Sequence, residues 1–269
     1  MNTTASHIAV HWEEAKTTRR QVDLLGEEPL SIRIQGNPYS VVMRTPGEEV
    51  AHVAGFCLGE GIIDAVEDYT SIAFCEGEAT NVATVTLTPA RREMIAAILE
   101  RRNYISQSSC GLCGKELVQD LYQLVRPVPD GVRMGLRQAM ASLNEMAANQ
   151  PLRHRTRAAH AAALCDRDGN ILCVAEDIGR HNALDKAIGK ALLDGSLPNA
   201  ALAVLSSRVS YEMVQKTARA RIPMILAVSR PTALAVELTS RLNMGLACMA
   251  EGEGEGAYVF CGESRFVME

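Results

Sequence analysis

From residue 158 onward, short apolar runs alternate with longer segments of helical period, and this alternation restricts the fold more than any other feature. Strands are predicted over 158–165 and 171–176, joined by the turn Asp166-Arg167-Asp168-Gly169. A long helix over 180–194 follows and stops at Gly195. Then come strand 201–206, helix 210–220, strand 224–228, helix 232–244 and short strands near 246–250 and 257–261. Apolar strands separated by helices predict an α/β unit whose sheet is largely parallel and covered on both faces.

The first hundred residues follow a different pattern. Leu30-Ser31-Ile32-Arg33-Ile34 alternates at period two, and a second strand over 39–43 lies across the turn Gly36-Asn37-Pro38. Thr45-Pro46-Gly47-Glu48 has the form of a capping box, opening a helix that runs to about Glu60. Segments 70–76 and 81–88 form a predicted hairpin around Gly77. The order ββαββ predicts a small α+β domain over 21–103, after a flexible N-terminus at 1–20. Helices are predicted at 91–101 and 137–149, and residues 104–269 form the α/β domain.

Aromatic residues make up only 4% of the chain and apolar residues 47%, so the core must be built from Ala, Leu, Val, Ile and Met. The net charge of −5 argues against a general nucleic-acid or membrane-surface binder. Met1 to Arg20 is polar and lacks a signal-peptide core, and no apolar run approaches the ~18 residues of a membrane span. Eight cysteines without a secretory signal point to free thiols in a reducing, cytoplasmic setting.

Two of those cysteines stand apart. In Ser108-Ser109-Cys110-Gly111-Leu112-Cys113-Gly114 the thiols are three apart and flanked by glycines, just before a helical pattern at 115–124. A helix N-terminus favours thiolate, and glycine lets another molecule approach the backbone. Half a zinc site, a redox pair and a sulfur-handling nucleophile all use Cys-x-x-Cys. No second cysteine pair at metal-like spacing completes a zinc site, and the segment does not directly follow a strand of an early βαβ unit. A nucleophilic, sulfur-handling loop is the favoured reading.

Three strand-to-helix joints carry anion-friendly residues: Ser206-Ser207-Arg208-Val209-Ser210, Ser229-Arg230-Pro231-Thr232, and Glu176 to Lys186 with Asp177, Arg180, His181 and Asn182. In a parallel sheet such joints lie at the carboxyl edge, where ligands of open α/β folds bind. Free helix-start N–H groups beside Ser, Thr and Arg suit phosphate. The plain alternative is N-capping by Ser, Thr and Asp177, with Asp185 and Lys186 on a solvated face. Arg180 and His181 resist that alternative, because cations at a helix N-terminus oppose its dipole. His160 emerges from the basic stretch Arg153-His154-Arg155-Thr156-Arg157. No GxxxxGK[ST] or GxGxxG loop occurs.

Together these segments resemble the FdhD family, the sulfur-carrier proteins required for formate dehydrogenase maturation. The matching segments are Glu27 to Arg33, Met43 to Gly47 with Gly55-Phe56 and Glu60 to Ile62, Ser108 to Gly114, His160 to Leu164, Glu176 to Lys186, Glu212 to Lys216 and Pro231 to Glu237. The resemblance implies a cytidine-deaminase-like α/β domain beside a smaller α+β domain, in a homodimer. It implies a sulfurtransferase that takes persulfide sulfur from a cysteine desulfurase on Cys110, with Cys113 as companion. The sulfur goes to the molybdenum (or tungsten) bis(molybdopterin guanine dinucleotide) cofactor for the catalytic subunit of formate dehydrogenase. A guanine nucleotide such as GDP would be a partial analogue of that cofactor, and no zinc is expected. Arg180, His181, Ser207, Arg208 and Ser229 are then the expected cofactor contacts.

By position alone, the resemblance adds Met249, Ala250, Glu251, Gly252, Glu253 and Gly254, where family members carry a Phe-x-Arg segment and this chain is acidic. Other departures are Arg157-Ala158-Ala159 in place of a Gly-Gly pair, and Ser207 in place of a common glycine. A zinc hydrolase of the deaminase type would need His-x-Glu and Pro-Cys-x-x-Cys, whereas His160 is followed by Ala161-Ala162 and no Pro precedes Cys110, so the catalytic Glu is missing. A non-enzymatic cofactor-binding chaperone and a dithiol redox protein are the remaining alternatives.

Overall fold

Leu30, Ile32 and Ile34 all point inward from one strand while Arg33 faces solvent, and this alternation organises the first sheet in the computed structural model. The structure describes residues 2–14, 16–75, 81–96, 125–250 and 256–268. Strands β1 (Thr4–Glu13) and β2 (Lys16–Leu25) pair as an antiparallel ribbon. Next come β3 (Glu28–Ile34), β4 (Asn37–Arg44), helix α1 (Glu49–Gly59), β5 (Tyr69–Cys75), β6 (Val82–Leu87) and the short helix α2 (Pro89–Met94). β3 to β6 form a four-stranded sheet in the order β4-β3-β6-β5, with the β3–β6 pair parallel at its centre.

After residue 125 the chain forms β7 (Met134–Gly135), α3 (Leu136–Ala148), α4 (Pro151–Thr156), β8 (His160–Cys165), β9 (Ile171–Asp177) and α5 (Arg180–Leu193). There follow β10 (Leu202–Leu205), α6 (Tyr211–Arg219), β11 (Met224–Ala227), α7 (Ala233–Arg241), β12 (Gly245–Met249), β13 (Ala257–Cys261) and β14 (Phe266–Val267). Six of these strands make one sheet in the order β13-β12-β11-β10-β8-β9.

That sheet is mixed, which corrects the expectation of a largely parallel one. Only β10–β11 and β11–β12 are parallel, and these are the pairs bridged by helices α6 and α7. β8 and β9 are joined by the Asp166–Gly169 turn, in which Asp166 Oδ1 accepts the N–H groups of Asp168 and Asn170 at 2.9 Å each. So short a connection permits only antiparallel pairing. β13 also returns antiparallel on β12. Alternate residues of the sheet feed opposite faces. Ala162, Leu164, Ala203, Leu205 and Ile225 join one buried cluster, while Ala161, Ala163, Leu202 and Val204 join another with Leu143 and Met146 of α3.

The first cluster does not stop at the expected boundary between the two units. It runs from Leu30 and Val85 through Val53 and Ile188 to Leu205 and Leu246. Helix α1 carries this continuity, being buried from Ala51 through Gly59. It meets α5 backbone to backbone. A Cβ on Gly55 would overlap the carbonyl of Asp185, and one on Gly189 would overlap that of Ala51.

Two local expectations fail for physical reasons. The Thr45–Glu48 capping box does not form, because Gly47 (φ +103°) and Glu48 (φ 60°) turn the chain left-handed before α1 begins. Thr45 instead ties the two sheets together. Its N–H donates to Asp177 Oδ2 (3.0 Å), and its hydroxyl accepts from the Ile178 N–H (3.0 Å). The first 20 residues, expected to be flexible, lie largely in the β1–β2 ribbon. Its base is held by Arg155 Nε on Asp23 (2.7 Å), while Ile8, Val10 and Trp12 (71% exposed) face outward.

His52 on α1 is wholly buried, and burial lowers its pKa well below 6.5, assisted by the charges of Lys186, Lys216 and Arg44. The folded chain therefore keeps this imidazole neutral, whereas the unfolded chain takes up a proton near pH 6.5. Stability from this group is complete above that pH and falls on acidification, by up to about 1.4 kcal/mol per pH unit. Urea midpoints between pH 7 and 5 should show His52→Gln with a shallower loss than the parent; equal slopes would assign the acid sensitivity to other groups.

Candidate functional site

The sheet brings the three polar joints to one edge. β8 runs antiparallel to β9 and β10, with His160 opposite Asp177 and Ala162 opposite Leu205. The start of β8 therefore lies beside the ends of β9, β10, β11 and β12. His160, Arg180, Arg208, Ser229 and Ala250 all emerge along this edge. Ala250 N–H donates to Gly256 O (2.9 Å) at the same edge.

Asp177 ends β9 and builds the joint into α5. Its Oδ1 accepts from Gly179 N–H and Asn182 Nδ2, both at 2.9 Å, and its Oδ2 meets Lys186 Nζ at 2.8 Å. Asn182 also donates to Met43 O (2.7 Å), which locks the joint to the first sheet. Glu176 accepts the N–H groups of Leu152 and Arg153, both at 2.8 Å, at the start of α4. The two acids of this joint are thus committed to backbone and lysine.

Several basic groups gather beside this joint, with Glu212 and Asp177 opposing them in part. Arg180 Nε is buried without a hydrogen-bond partner. Among the described residues neither Arg180 nor Arg208 has an ion pair. Burial lowers the Arg180 pKa, and the neighbouring Arg208 lowers it further. Burial also lowers that of His160, with Arg180, Arg153 and His181 adding to the effect. His160 Nδ1 lies 3.5 Å from Ser206 Oγ, which accepts the Ala161 N–H (2.8 Å). No side chain caps α5 or α6. A set of like charges beside two uncapped helix starts is an anion site in waiting.

Below this edge a groove of about 780 Å3 runs between α1, α5 and α6. His181 stands at its mouth, with Nε2 2.9 Å from Glu212 and 3.3 Å from Ser210 Oγ. The hydrogen bond from His181 holds the Glu212 carboxyl below its ordinary value, against partial burial. Deeper in, Lys216 donates to both oxygens of Asp185 at 2.8 and 2.9 Å and lies 4.0 Å from Glu60. Burial pushes the Asp185 carboxyl up to about 6 against the pull of Lys216. Burial works to lower Lys216, but Asp185 and Glu60 outweigh it and hold the ammonium charged. Lys216 Nζ also sits 5.3 Å from the centre of the Phe56 ring. The corner bearing Glu60 is clasped by two arginines. Arg91 donates to Gly61 O and Ile62 O, and Arg219 to Leu58 O and Ile63 O, at 2.8–3.1 Å.

The sequence model of the FdhD/NarQ family matches residues 25–267. The chain belongs to the FdhD/NarQ family. It is 36% identical over 265 residues to the sulfur carrier protein FdhD of Streptomyces avermitilis, spanning 95% of this chain and 93% of that one. It is 37% identical over 267 residues to the protein of the same name from Mycobacterium tuberculosis, spanning 95% and 96%. Among solved structures it resembles one described as a formate dehydrogenase accessory protein from Desulfotalea psychrophila. The TM-score there is 0.77 at 22% identity over 99% of this chain and 100% of that one, which shows a shared fold.

In this FdhD/NarQ chain the residues expected at the site have unequal positions. Arg180 and His181 line the groove, and Arg208 stands exposed beside Arg180. Ser207 is buried and its hydroxyl donates to Arg208 O (3.0 Å), so it faces the backbone rather than a ligand. Ser229 is exposed outside the groove, and Thr232 caps α7 through the Ala235 N–H (3.2 Å), as plain capping would have it. Met249 and Ala250 lie half-buried at the neighbouring strand end. Cys110, Cys113, Glu251, Gly252, Glu253 and Gly254 lie outside the described residues.

Sequence reasoning missed the inner groove. Asp185 and Lys186, readable as a solvated face, are both buried, and Glu60, Phe56 and Lys216 were not singled out as site residues. The available signal was charge at core positions. Lys216 falls on the apolar side of α6 with Met213 and Thr217, where a lysine needs a buried partner.

Proposed function

We propose that this chain carries sulfur for formate dehydrogenase maturation. The Cys110 thiolate attacks the outer sulfur of a persulfide on a cysteine desulfurase. The donor's S–S bond breaks, its cysteine leaves as thiolate, and the new S–S bond makes Cys110 a persulfide. That sulfur then passes to the molybdenum bis(molybdopterin guanine dinucleotide) cofactor, held as a substrate, and Cys110 returns to thiolate. Conversion of sulfane sulfur to sulfide takes two electrons, which a reduced molybdenum centre supplies. Cys113 supports the loop. The catalytic subunit of formate dehydrogenase is the client, and the working form is a cytoplasmic homodimer built on a cytidine-deaminase-like α/β unit.

The observation that carries this reading is Arg180, its Nε buried without a hydrogen-bond partner, beside Arg208 and His160 at an edge with two uncapped helix starts. Such an edge suits the diphosphates of a dinucleotide. The names of the relatives point the same way. No helix among the described residues is long and apolar enough to cross a membrane.

Incubation with a desulfurase and cysteine, followed by mass spectrometry, is expected to find one added sulfur atom on Cys110. Sulfur on other cysteines with Cys110 unmodified would reject the assignment. Full formate dehydrogenase maturation by Cys110→Ala would favour the non-enzymatic chaperone.

A further inference from the structure

The β1–β2 ribbon has two open faces. It is anchored at its base, where Arg155 meets Asp23 and the Gly26 N–H donates to Thr3 O (2.7 Å). Beyond that base every residue from Lys16 to Val22 is exposed, as are Ile8, Val10, Trp12 and Glu13 on the paired strand. A two-stranded hairpin on its own is marginal in water, so a ribbon with ten paired positions needs a further surface to pack on. Its two faces differ. One carries Ile8, Val10 and Trp12, which are 66%, 64% and 71% exposed, opposite Gln21, Arg19 and Thr17 of β2. The other carries His7, Ala9 and His11, opposite Val22, Arg20 and Thr18. Single apolar side chains on a surface are ordinary, but a row of three at period two on one face forms a contiguous patch.

We infer that two copies of this chain join through that face, with Val10 beside the two-fold axis and Trp12 of each copy packed on Ile8 of the other. This rests on the homodimer reading above and names the surface that forms it. The row is self-complementary. An apolar residue lies two positions to either side of Val10, so a half-turn about Val10 lays the row on itself. A contact between identical copies requires such symmetry, whereas an unrelated partner does not. Size agrees as well. The three side chains present about 400 Å2 per copy, and with Thr17, Arg19 and Gln21 the two ribbons together bury about 1,000 Å2, the lower bound for a specific interface. Charge does not oppose the approach, because Glu13, Glu14 and Asp23 balance Lys16, Arg19 and Arg20 within the ribbon. Stacking also gives each ribbon the second layer that a lone hairpin lacks. The ribbon base adjoins the site edge, since Arg155 lies on α4, whose first N–H groups are held by Glu176 at the joint leading to Arg180.

Trp12 is the single tryptophan of the chain, so intrinsic fluorescence reports on this face alone. Sedimentation of the full chain over serial dilution, read beside tryptophan emission, tests the contact. A dimer is expected, with emission that moves to the red as dilution separates the copies. Trp12→Ser should weaken dimerisation about thirtyfold or more, with the urea midpoint of the dilute monomer unchanged. Val10→Cys under mild oxidation should give a covalent dimer, joined at position 10 of both copies by mass spectrometry, whereas Ala9→Cys on the opposite face should not. A dimer that dissociates with no change in emission, or that survives Trp12→Ser undiminished with no link at position 10, rejects the ribbon face and leaves the homodimer reading standing. A parent that stays monomeric at its highest soluble concentration overturns both. A monomer whose emission moves to the blue only on adding phosphatidylcholine–phosphatidylglycerol vesicles, or the formate dehydrogenase catalytic subunit, gives the face to that occupant and overturns the inference.

Discussion

Gly55→Ala is expected to destabilise the fold by more than about 3 kcal/mol, read as a large fall in the urea midpoint or as loss of soluble protein. The added methyl would meet the Asp185 carbonyl, a backbone atom inside α5 that has no rotamer to escape into. Relief requires α1 and α5 to separate. Separation opens the cluster that joins Val53, Leu58, Leu184 and Ile188. Typical domains have only about 5–15 kcal/mol of stability, so such a loss is a large share of the total. Gly36→Ala is the useful comparison, since nothing lies within 4 Å of a Cβ there and only its positive φ is strained. A Gly55→Ala midpoint equal to that of Gly36→Ala would contradict the backbone contact.

Lys216→Met should cost about 3–5 kcal/mol, because it leaves the Asp185 carboxylate buried without its cation. The energy lost is mainly the penalty of the stranded charge rather than the value of the pair. Two further measurements separate these. Adding Asp185→Leu to Lys216→Met should recover most of the midpoint, since two apolar groups of similar volume replace the pair. The single variant should also regain stability as the pH falls. Without Lys216 the folded-state pKa of Asp185 lies further above the unfolded value, so the folded chain binds the extra proton and gains on acidification. A single variant as stable as the parent at pH 7 would show that Asp185 is solvated. The inner groove would then not be the low-dielectric site described.

Much of the fold was legible because it rests on local periodicity. The boundaries of α5, β10, β11 and β13 follow from apolar spacing and from Gly195 as a stop signal. Less legible was anything decided by partners far along the chain. Thr45 reads as a cap from its neighbours but bonds to Asp177 and Ile178, more than 130 residues away. The β1–β2 ribbon was missed because its alternating Ile8, Val10 and Trp12 sit in a polar N-terminal stretch and face solvent. Arg180 and His181, which line the groove, stand out in the sequence because cations at a helix start oppose the dipole and demand a reason. Ser207 and Ser229 carry no comparable signal, since a hydroxyl near a helix start is equally content with the backbone or with water. Lys216 and Asp185 lie 31 residues apart on different helices, and no local pattern links them.

The backbone contact at Gly55 and Gly189 has a consequence for recognition. Helices separated by long side chains can slide or breathe as rotamers change, but two main chains in direct touch have no such slack. The aromatic wall and the acid beyond the end of α1 are therefore held at a set spacing from the basic first turn of α5 before any guest arrives. A rigid slot of this kind pays little ordering entropy on occupation and tolerates misfits poorly, so its choice of cargo is written into the scaffold rather than into a closing motion.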